Sequence, residues 1–570
     1  MRKTTFILLL FYSLVASGQE DFSLNKTYPT NYFNKPLDIP LLLSGTFAEL
    51  RPNHFHAGLD IKTQQIEGLN VYTAAQGYIS RIKISHWGYG KALYITHPNG
   101  YTTVYAHLQK FNKRIESYIK NQQYKKESFE VEVFPAPSEL PVSTNEIIAF
   151  SGSTGGFVGP HLHFEIRDTK SEKPVNPFFF GIQVSDTKKP RVNTLIGYAL
   201  DGQSHINQLN IPSQISLKKL GNGDLLADKI TAFGTIGFGI NAFDQLNGAN
   251  NKNGLYSLEM LVNGETVHVF EAETFSFSES KYINLLIDYE RLEKLKQRVQ
   301  KCFIEPENKL SLYKKTTNNG YVSIIDGSSY TIEIIAKDYK GNEQKVIIPI
   351  VGKSAPILVT DTPEITPYKI NHVQFNKFLQ NGITVAFPKN TFYKNLYLDF
   401  SVADSVVKVH EPVVPLAKNY TLTFDVSTYT SAQKEKLYIA FINEQGKTSY
   451  VKTVKKDATF YTSTNKLGKF TLSTDNQLPK ISIQNFKNEQ WLTNFNDIKV
   501  KISDEDSGVY SYRGEIDGAW ILMEYDVKKG LLTYNLNDKK FVKAKHELTV
   551  SVIDNVGNSN TISATFYRKK

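Results

Sequence analysis

Hydrophobic and polar positions alternate with a period of two along most of this chain. Val71 to Ala75, Gly77 to Ile84, Ala92 to His97 and Thr102 to His107 alternate or carry β-branched residues, with glycine and proline between them. That is the pattern of short, half-buried strands. The period changes briefly over Leu108 to Gln123, where Phe111, Ile115 and Ile119 stand at a weak helical spacing. A charged, proline-containing loop follows to Ser143, and Asp186-Thr-Lys-Lys-Pro190 reads as a linker. Beyond it the chain stays strand-like and contains an internal repeat. Gly254-Leu-Tyr256-Ser257 with Asn263-Gly264 matches Gly508-Val-Tyr510-Ser511 with Asp517-Gly518 at identical spacing. Each copy starts near a proline, Pro190 or Pro479, and continues into a long strand and a turn, Asp338-Tyr-Lys-Gly341-Asn342 or Asp554-Asn-Val-Gly557-Asn558. The first copy is longer, with a charged helical insert around Glu290 to Gln300.

These patterns predict an all-β chain: a strand-rich domain over residues 19–185 followed by about three β-sandwich-like modules. Residues 190–352 and 476–570 are expected to be immunoglobulin-like sandwiches. Residues 353–475 are expected to form a different β-rich module. Tandem modules of this kind are spacers or binding units, which makes them candidate sites for envelope protein partners and predicts no catalysis from them.

The amino terminus bears on the compartment. Arg2 and Lys3 precede an apolar run from Phe6 to Val15, and Ala16-Ser17-Gly18 offers small residues. This predicts a signal peptide over residues 1–18, cleaved before Gln19. The apolar run is short for a spanning helix, and no cysteine follows it to carry a lipid. The expectation is a protein without stable membrane insertion, exported to a bacterial periplasm or cell envelope, or secreted.

Composition narrows the class further. At 570 residues, 41% hydrophobic and 21% charged, the chain can bury several cores, which excludes wholesale disorder. A net charge of +10 suggests an anionic partner. Residues 19–185 are nearly neutral, however, and the basic excess is spread over residues 186–570. Such charge makes no nucleic-acid groove and gives at most a weak, salt-screened attraction to an anionic envelope. The single cysteine, Cys302, excludes an intrachain disulfide framework and a cysteine-based zinc site, and is expected in a core.

The chemistry concentrates in histidine. Seven of the twelve histidines lie between His54 and His163: His54, His56, His86, His97, His107, His161 and His163. His161-Leu-His163 sits in a strand-like run, and side chains two apart on a strand share a face. Gly152, Gly155, Gly156 and Gly159 precede it and allow close approach of backbone or ligand. His56 and Asp60 are separated by Ala57-Gly58-Leu59, and Gly58 argues for a loop entering a strand. Two histidines and a carboxylate with an open fourth position make a catalytic zinc arrangement.

His56-x-x-x-Asp60, Tyr105-Ala-His107-Leu108 and Gly155 to His161-Leu-His163-Phe164-Glu165 resemble the lysostaphin-type zinc murein endopeptidases. The stretch from Phe47 to Asp60 strengthens the likeness, which covers residues 40–183. The resemblance implies a mostly antiparallel β-fold with a Zn2+ ion at the floor of a groove. It assigns His56, Asp60 and His163 as metal ligands, and His107 and His161 as the catalytic pair that handles the water proton and the oxyanion. Between those two histidines the roles stay open. It further implies hydrolysis of peptide cross-links between the peptide stems of peptidoglycan, with direct D-alanine to diamino-acid links expected and glycine bridges as the alternative bond. Two departures stand out: Gly156-Phe157-Val158-Gly159 lacks the small polar residues common there, and the connection from Lys110 to Thr144 is long. His54 is a rival ligand that the family spacing places outside the metal set. The alternative function is a catalytically inactive relative that binds wall or activates an amidase. A third is a surface scaffold in which the β-modules do the work.

Overall fold

The structure is a computed structural model that describes residues 27–156 and 159–569. The expected signal peptide over residues 1–18 lies outside the described residues, as do Phe157 and Val158. Among the described residues no helix is long and apolar enough to cross a membrane.

The first domain is built on strands β1 (Leu43–Gly45), β2 (Leu50–Arg51), β3 (His54–Phe55), β4 (Leu59–Lys62), β5 (Asn70–Tyr72), β6 (Gly77–Ile84), β7 (Lys91–Thr96), β8 (Tyr101–Ala106) and β9 (Lys110–Phe111). Helix α1 (Lys113–Lys126) follows, then β10 (Val131–Val133), β11 (Pro141–Val142), β12 (Ile147–Phe150), β13 (His161–Asp168) and β14 (Pro174–Val175). The main sheet runs β1-β4-β13-β8-β7-β6-β10, with β11 beside β6 and β14 beside β13, and every pair is antiparallel. A small sheet, β5-β12-β9, closes the other side of the core. Leu59, Ile61, Leu93, Ile95, Tyr105, Leu162, Phe164 and Ile166 fill that core from the main sheet, and Val71, Ile148 and Ala149 from the small one.

Helix α1 starts later than the weak periodicity suggested. Asn112 caps it by accepting from the Ile115 amide at 2.9 Å, while Lys110 and Phe111 pair with β12. The cap and the strand pairing together satisfy backbone groups that a helix begun at Leu108 would leave exposed. The long connection after α1 returns through β10 and β11 to β6, two strands from β8. It therefore widens the sheet at the edge opposite β1.

The rest of the chain is β-rich, and the all-β expectation holds. The insert expected around Glu290 is a helix over Tyr289–Leu295, capped by Asp288 and ended by Lys296 in a left-handed conformation. Cys302 is fully buried in the core of its module. Residues 376–474 form two five-stranded sheets around one core, and residues 480–567 a four-stranded and a five-stranded sheet around another. Both copies of the repeat turn through residues with positive φ, Asn263 (50°) and Gly264 (86°), then Asp517 (52°) and Gly518 (77°). Two residues at positive φ are what a tight two-residue hairpin turn requires.

The first domain is locked to its neighbours. The β2–β3 hairpin places Phe47, Ala48, Phe55 and Ala57 in the same buried cluster as Leu258, Phe270 and Phe275 of the following module. The Phe275 ring lies 5.3 Å from both Phe47 and Phe55. The C-terminal module folds back onto the first domain through Lys91 to Glu524, Lys120 to Asp538 and Glu127 to Arg513, each at 2.8 Å. Phe275→Ala would empty a fully buried ring from the shared cluster. It is expected to cost about 3–5 kcal/mol, read as a lower urea midpoint of the full chain with an unchanged slope.

Candidate metal centre

The antiparallel register brings the site together. Strand β13 pairs with β4 so that His163 stands opposite Asp60. Directly opposed residues project on one face, and His161 shares that face by strand alternation. His56 enters from the loop between β3 and β4. That loop can pass against β13 because residue 58 is glycine: a Cβ there would lie 2.3 Å from the Phe164 carbonyl oxygen. His107 directly follows β8, next to Ala106, which pairs with His163. In a regular strand its ring would point to the far face. A φ of +60° at His107 breaks the alternation and returns the ring to the site, 4.7 Å from His161 between centroids.

Three acceptor atoms converge. His56 Nε2 lies 3.0 Å from Asp60 Oδ1 and 3.0 Å from His163 Nδ1, and His163 Nδ1 lies 2.9 Å from Asp60 Oδ1. Each is oriented from behind. His56 Nδ1 donates to the Thr46 carbonyl at 2.8 Å, which makes Nε2 the lone-pair nitrogen. His163 Nε2 donates to Glu165 Oε1 at 2.7 Å, which does the same for Nδ1. Arg51 holds Asp60 Oδ2 at 2.5 Å and leaves Oδ1 to the centre. These outer partners fix tautomer and aim in the way metal-ligating histidines require.

The electrostatics call for a cation. Asp60 and Glu165 are almost fully buried. Burial alone would raise the Asp60 carboxyl, but His56 and His163 outweigh it and hold the pKa well below the usual range. For Glu165 burial is again opposed, by Arg167 and His163, and the result is about 2. His163 sits between the two carboxylates. Burial works against its charged form, yet the hydrogen bonds to Asp60 and Glu165 raise its pKa to about 9. Nδ1 of His163 thus lies where positive charge is demanded, and a divalent ion meets that demand by displacing a proton. Two imidazole nitrogens and one carboxylate oxygen, all buried, fit such an ion.

His107 and His161 are kept neutral. Burial first, then His163 and His161, lower His107 to about 3; burial likewise lowers His161. His107 Nδ1 donates to the Thr154 carbonyl at 2.9 Å and His161 Nδ1 to that of Gly159 at 3.0 Å. Both rings therefore carry their lone pair on Nε2, and His161 Nε2 is 3.7 Å from Asp60 Oδ1.

Of the seven clustered histidines the fold gathers four. His54 is exposed, its Nδ1 bonded to the Pro52 carbonyl, and takes no part. His97 is buried between the Gln76 carbonyl and Thr103, and His86 stacks on Phe129 at the face towards Tyr525. The glycine run serves backbone approach: a Cβ on Gly152 would meet the Gln109 amide nitrogen at 2.4 Å. Sequence reasoning gave no role to Glu165, although its place two residues after His163 on one strand was a usable signal. Tyr89, which donates to Glu165, and the carbonyls of Thr46 and Thr154 left no signal.

Residues 54–124 match the family profile described as Peptidase family M23. The chain carries a peptidase family M23 domain. Residues 367–475 match a second profile, the Zu5-like domain. DD-carboxypeptidase/endopeptidase Mpg of Neisseria meningitidis serogroup B is 36% identical over 122 residues, which is 21% of this chain and 22% of that protein. A metalloprotease of Haemophilus influenzae is 31% identical over 122 residues, 21% of this chain and 20% of its own. The chain thus spans about a fifth of the length of the curated relatives it matches. The catalytic domain of lysostaphin from Staphylococcus simulans matches at 24% identity, over 24% of this chain and 87% of that one, with a TM-score of 0.18. The lysostaphin-type resemblance of the M23 domain is borne out.

With zinc as the probe ion, the cluster is expected to bind one equivalent, lost in His163→Ala. Glu165→Gln keeps the ligands but weakens their support, and competition with a chromophoric chelator should show affinity lowered about 10–100-fold. Unchanged affinity would remove Glu165 from the site.

Proposed function

We propose that the chain is an exported zinc endopeptidase that hydrolyses peptide cross-links of peptidoglycan. The observation that carries this reading is the convergence of His56 Nε2, Asp60 Oδ1 and His163 Nδ1 within 3.0 Å of one another, flanked by His107 and His161. All five residues that the M23 resemblance requires are in one place, which speaks against an inactive wall-binding or amidase-activating relative. The name of the Neisseria relative, a carboxypeptidase and endopeptidase, points the same way.

His56, Asp60 and His163 would hold the zinc ion, which supplies Lewis acidity for the scissile carbonyl and lowers the pKa of water. The chain's own residues do the proton work. A neutral imidazole accepts a proton at Nε2, and both His107 and His161 keep that nitrogen free of a proton. Once protonated, the same nitrogen donates to developing negative charge on the carbonyl oxygen or to the leaving amine. Burial makes each effect stronger, because little water screens the site. Export, the periplasmic or envelope setting and the direct D-alanine to diamino-acid bond belong to this proposal, as do envelope protein partners for the β-modules.

The test is digestion of purified sacculi by the zinc-loaded full chain, with muropeptides followed by mass spectrometry. Cross-linked dimers should fall and monomers rise. His107→Ala and His161→Ala should retain zinc while kcat/KM drops about 10²–10⁴-fold. Zinc-loaded protein that leaves every cross-link intact would sink the endopeptidase reading in favour of the inactive one.

A further inference from the structure

The internal repeat has a chemical content that the M23 site does not use. Each copy assembles three aspartates at matching positions. One stands four residues before the leading proline, one follows the strand that ends at Phe243 or Ser503, and one opens the Asp-x-x-Gly-Asn turn. In the first copy they are Asp186, Asp244 and Asp338, and in the second Asp475, Asp504 and Asp554. Within each trio the carboxylate oxygens come within 4.8 Å of one another. Asp186 falls in the stretch that sequence alone marks as a linker, yet it is 9% exposed, and Asp244 only 3%.

The copies differ in how those oxygens are satisfied. In the second, Asp475 accepts from the amides of Gln477 and Ser507, Asp504 from Gly508, and Asp554 from Val556, Asn558 and the Asn558 side chain. In the first, Asp338 is held by Asn342, one Asp186 oxygen by the Lys188 amide, and Asp244 accepts from the Gln245 amide, while the Asp186 and Asp338 carboxyls lie at hydrogen-bond distance from each other. Asp186 Oδ2 and Asp244 Oδ1, however, are buried and have no hydrogen-bond partner among the described residues. Both carboxylates line a partly open cavity of about 20 Å³, enough for one water-sized guest. Buried carboxylate oxygens without donors are costly unless a cation completes them. The strain shows in Asp244, which burial and then the charges of Asp186 and Asp338 raise to about 7.

We propose that Asp186, Asp244 and Asp338 form a calcium site at the junction between the M23 domain and the module that follows it. The donor set is all oxygen, which selects a hard cation over zinc or copper. Calcium tolerates an irregular cage of carboxylate oxygens, whereas magnesium demands near-ideal octahedral geometry and keeps several waters. The site also reaches the metal centre through the fold. Its walls include Thr46, Phe47 and Asn176 of the M23 domain, and the Thr46 carbonyl is the group that aims His56. Calcium here ties the following module to the segment that orients a zinc ligand.

The experiment uses the full chain, freed of calcium with EGTA and reloaded with one equivalent of zinc. Calcium binding is followed by isothermal titration, stability by Tm, and local order by hydrogen exchange. One equivalent of calcium should bind with a saturable rise in Tm, and amides over residues 44–49 and 244–256 should exchange more slowly. Asp186→Asn and Asp244→Asn should each remove that equivalent and its Tm response. Asp244→Asn should also raise the Tm of the calcium-free protein, because it removes a buried unpaired charge, which separates lost binding from failed folding. Full binding retained in both variants, a wild-type Tm indifferent to calcium, or an equal response to magnesium would overturn the assignment. Calcium protection absent from residues 44–49 would overturn the link to His56.

Discussion

Everything at the candidate metal centre depends on the pairing of β13 with β4. Opposing His163 to Asp60 across an antiparallel ladder places an imidazole and a carboxylate on one face at contact distance without any loop having to hold them. A slip of one residue would turn His161 and His163 into the packed core and bring Leu162 to the site. The core itself forbids that slip. Leu162, Phe164 and Ile166 are fully buried on the opposite face, among Leu59, Ile61 and Tyr105. Hydrophobic packing on one side of the sheet thus sets the chemistry on the other.

The polar face is an exercise in compensated burial. Glu165 is fully buried and receives His163 Nε2, Arg167 Nε and the Tyr89 hydroxyl. Asp60 is matched by Arg51 on one oxygen and by the histidines on the other. An unmatched charge at such depth costs about 3–5 kcal/mol, so the outer residues stabilise the fold and orient the ligands by the same contacts. The remaining demand for positive charge lies at the point where the three acceptors meet.

The modules add stiffness to that point. Phe47 and Phe55 flank the loop that delivers His56, and they are packed into the core of the following module. The C-terminal module reaches back as well: Lys528 donates to the Ser153 carbonyl in the glycine-rich segment, and Trp520 packs edge-on against Tyr124. Lys528 and Arg513 of the C-terminal module thus have partners inside the same chain. Part of the charge that composition would offer to an external anion is spent on intramolecular pairs.

Strand alternation is local, so β6 was legible to the residue and β7 and β8 to within one. The three metal-ligand candidates were legible too, because their spacing carries a family resemblance and because His161 and His163 lie two apart on one strand. Glu165 continues that series and was open to the same argument. The ends of α1 were less legible, since Asn112 as a cap competes with a strand pairing made by β12, which is remote in sequence. The aspartate trios lay beyond reach for the same reason, each being assembled from three segments of which one had the composition of a linker. By itself the sequence determined which residues alternate, which side chains could carry metal chemistry, and that the chain is β-rich. Only the tertiary structure decided that Thr46, Tyr89 and Thr154 serve the site, that His54, His86 and His97 do not, and that Asp186 is buried beside Asp244. Those facts depend on register and on contacts between distant segments, and a one-dimensional pattern encodes neither.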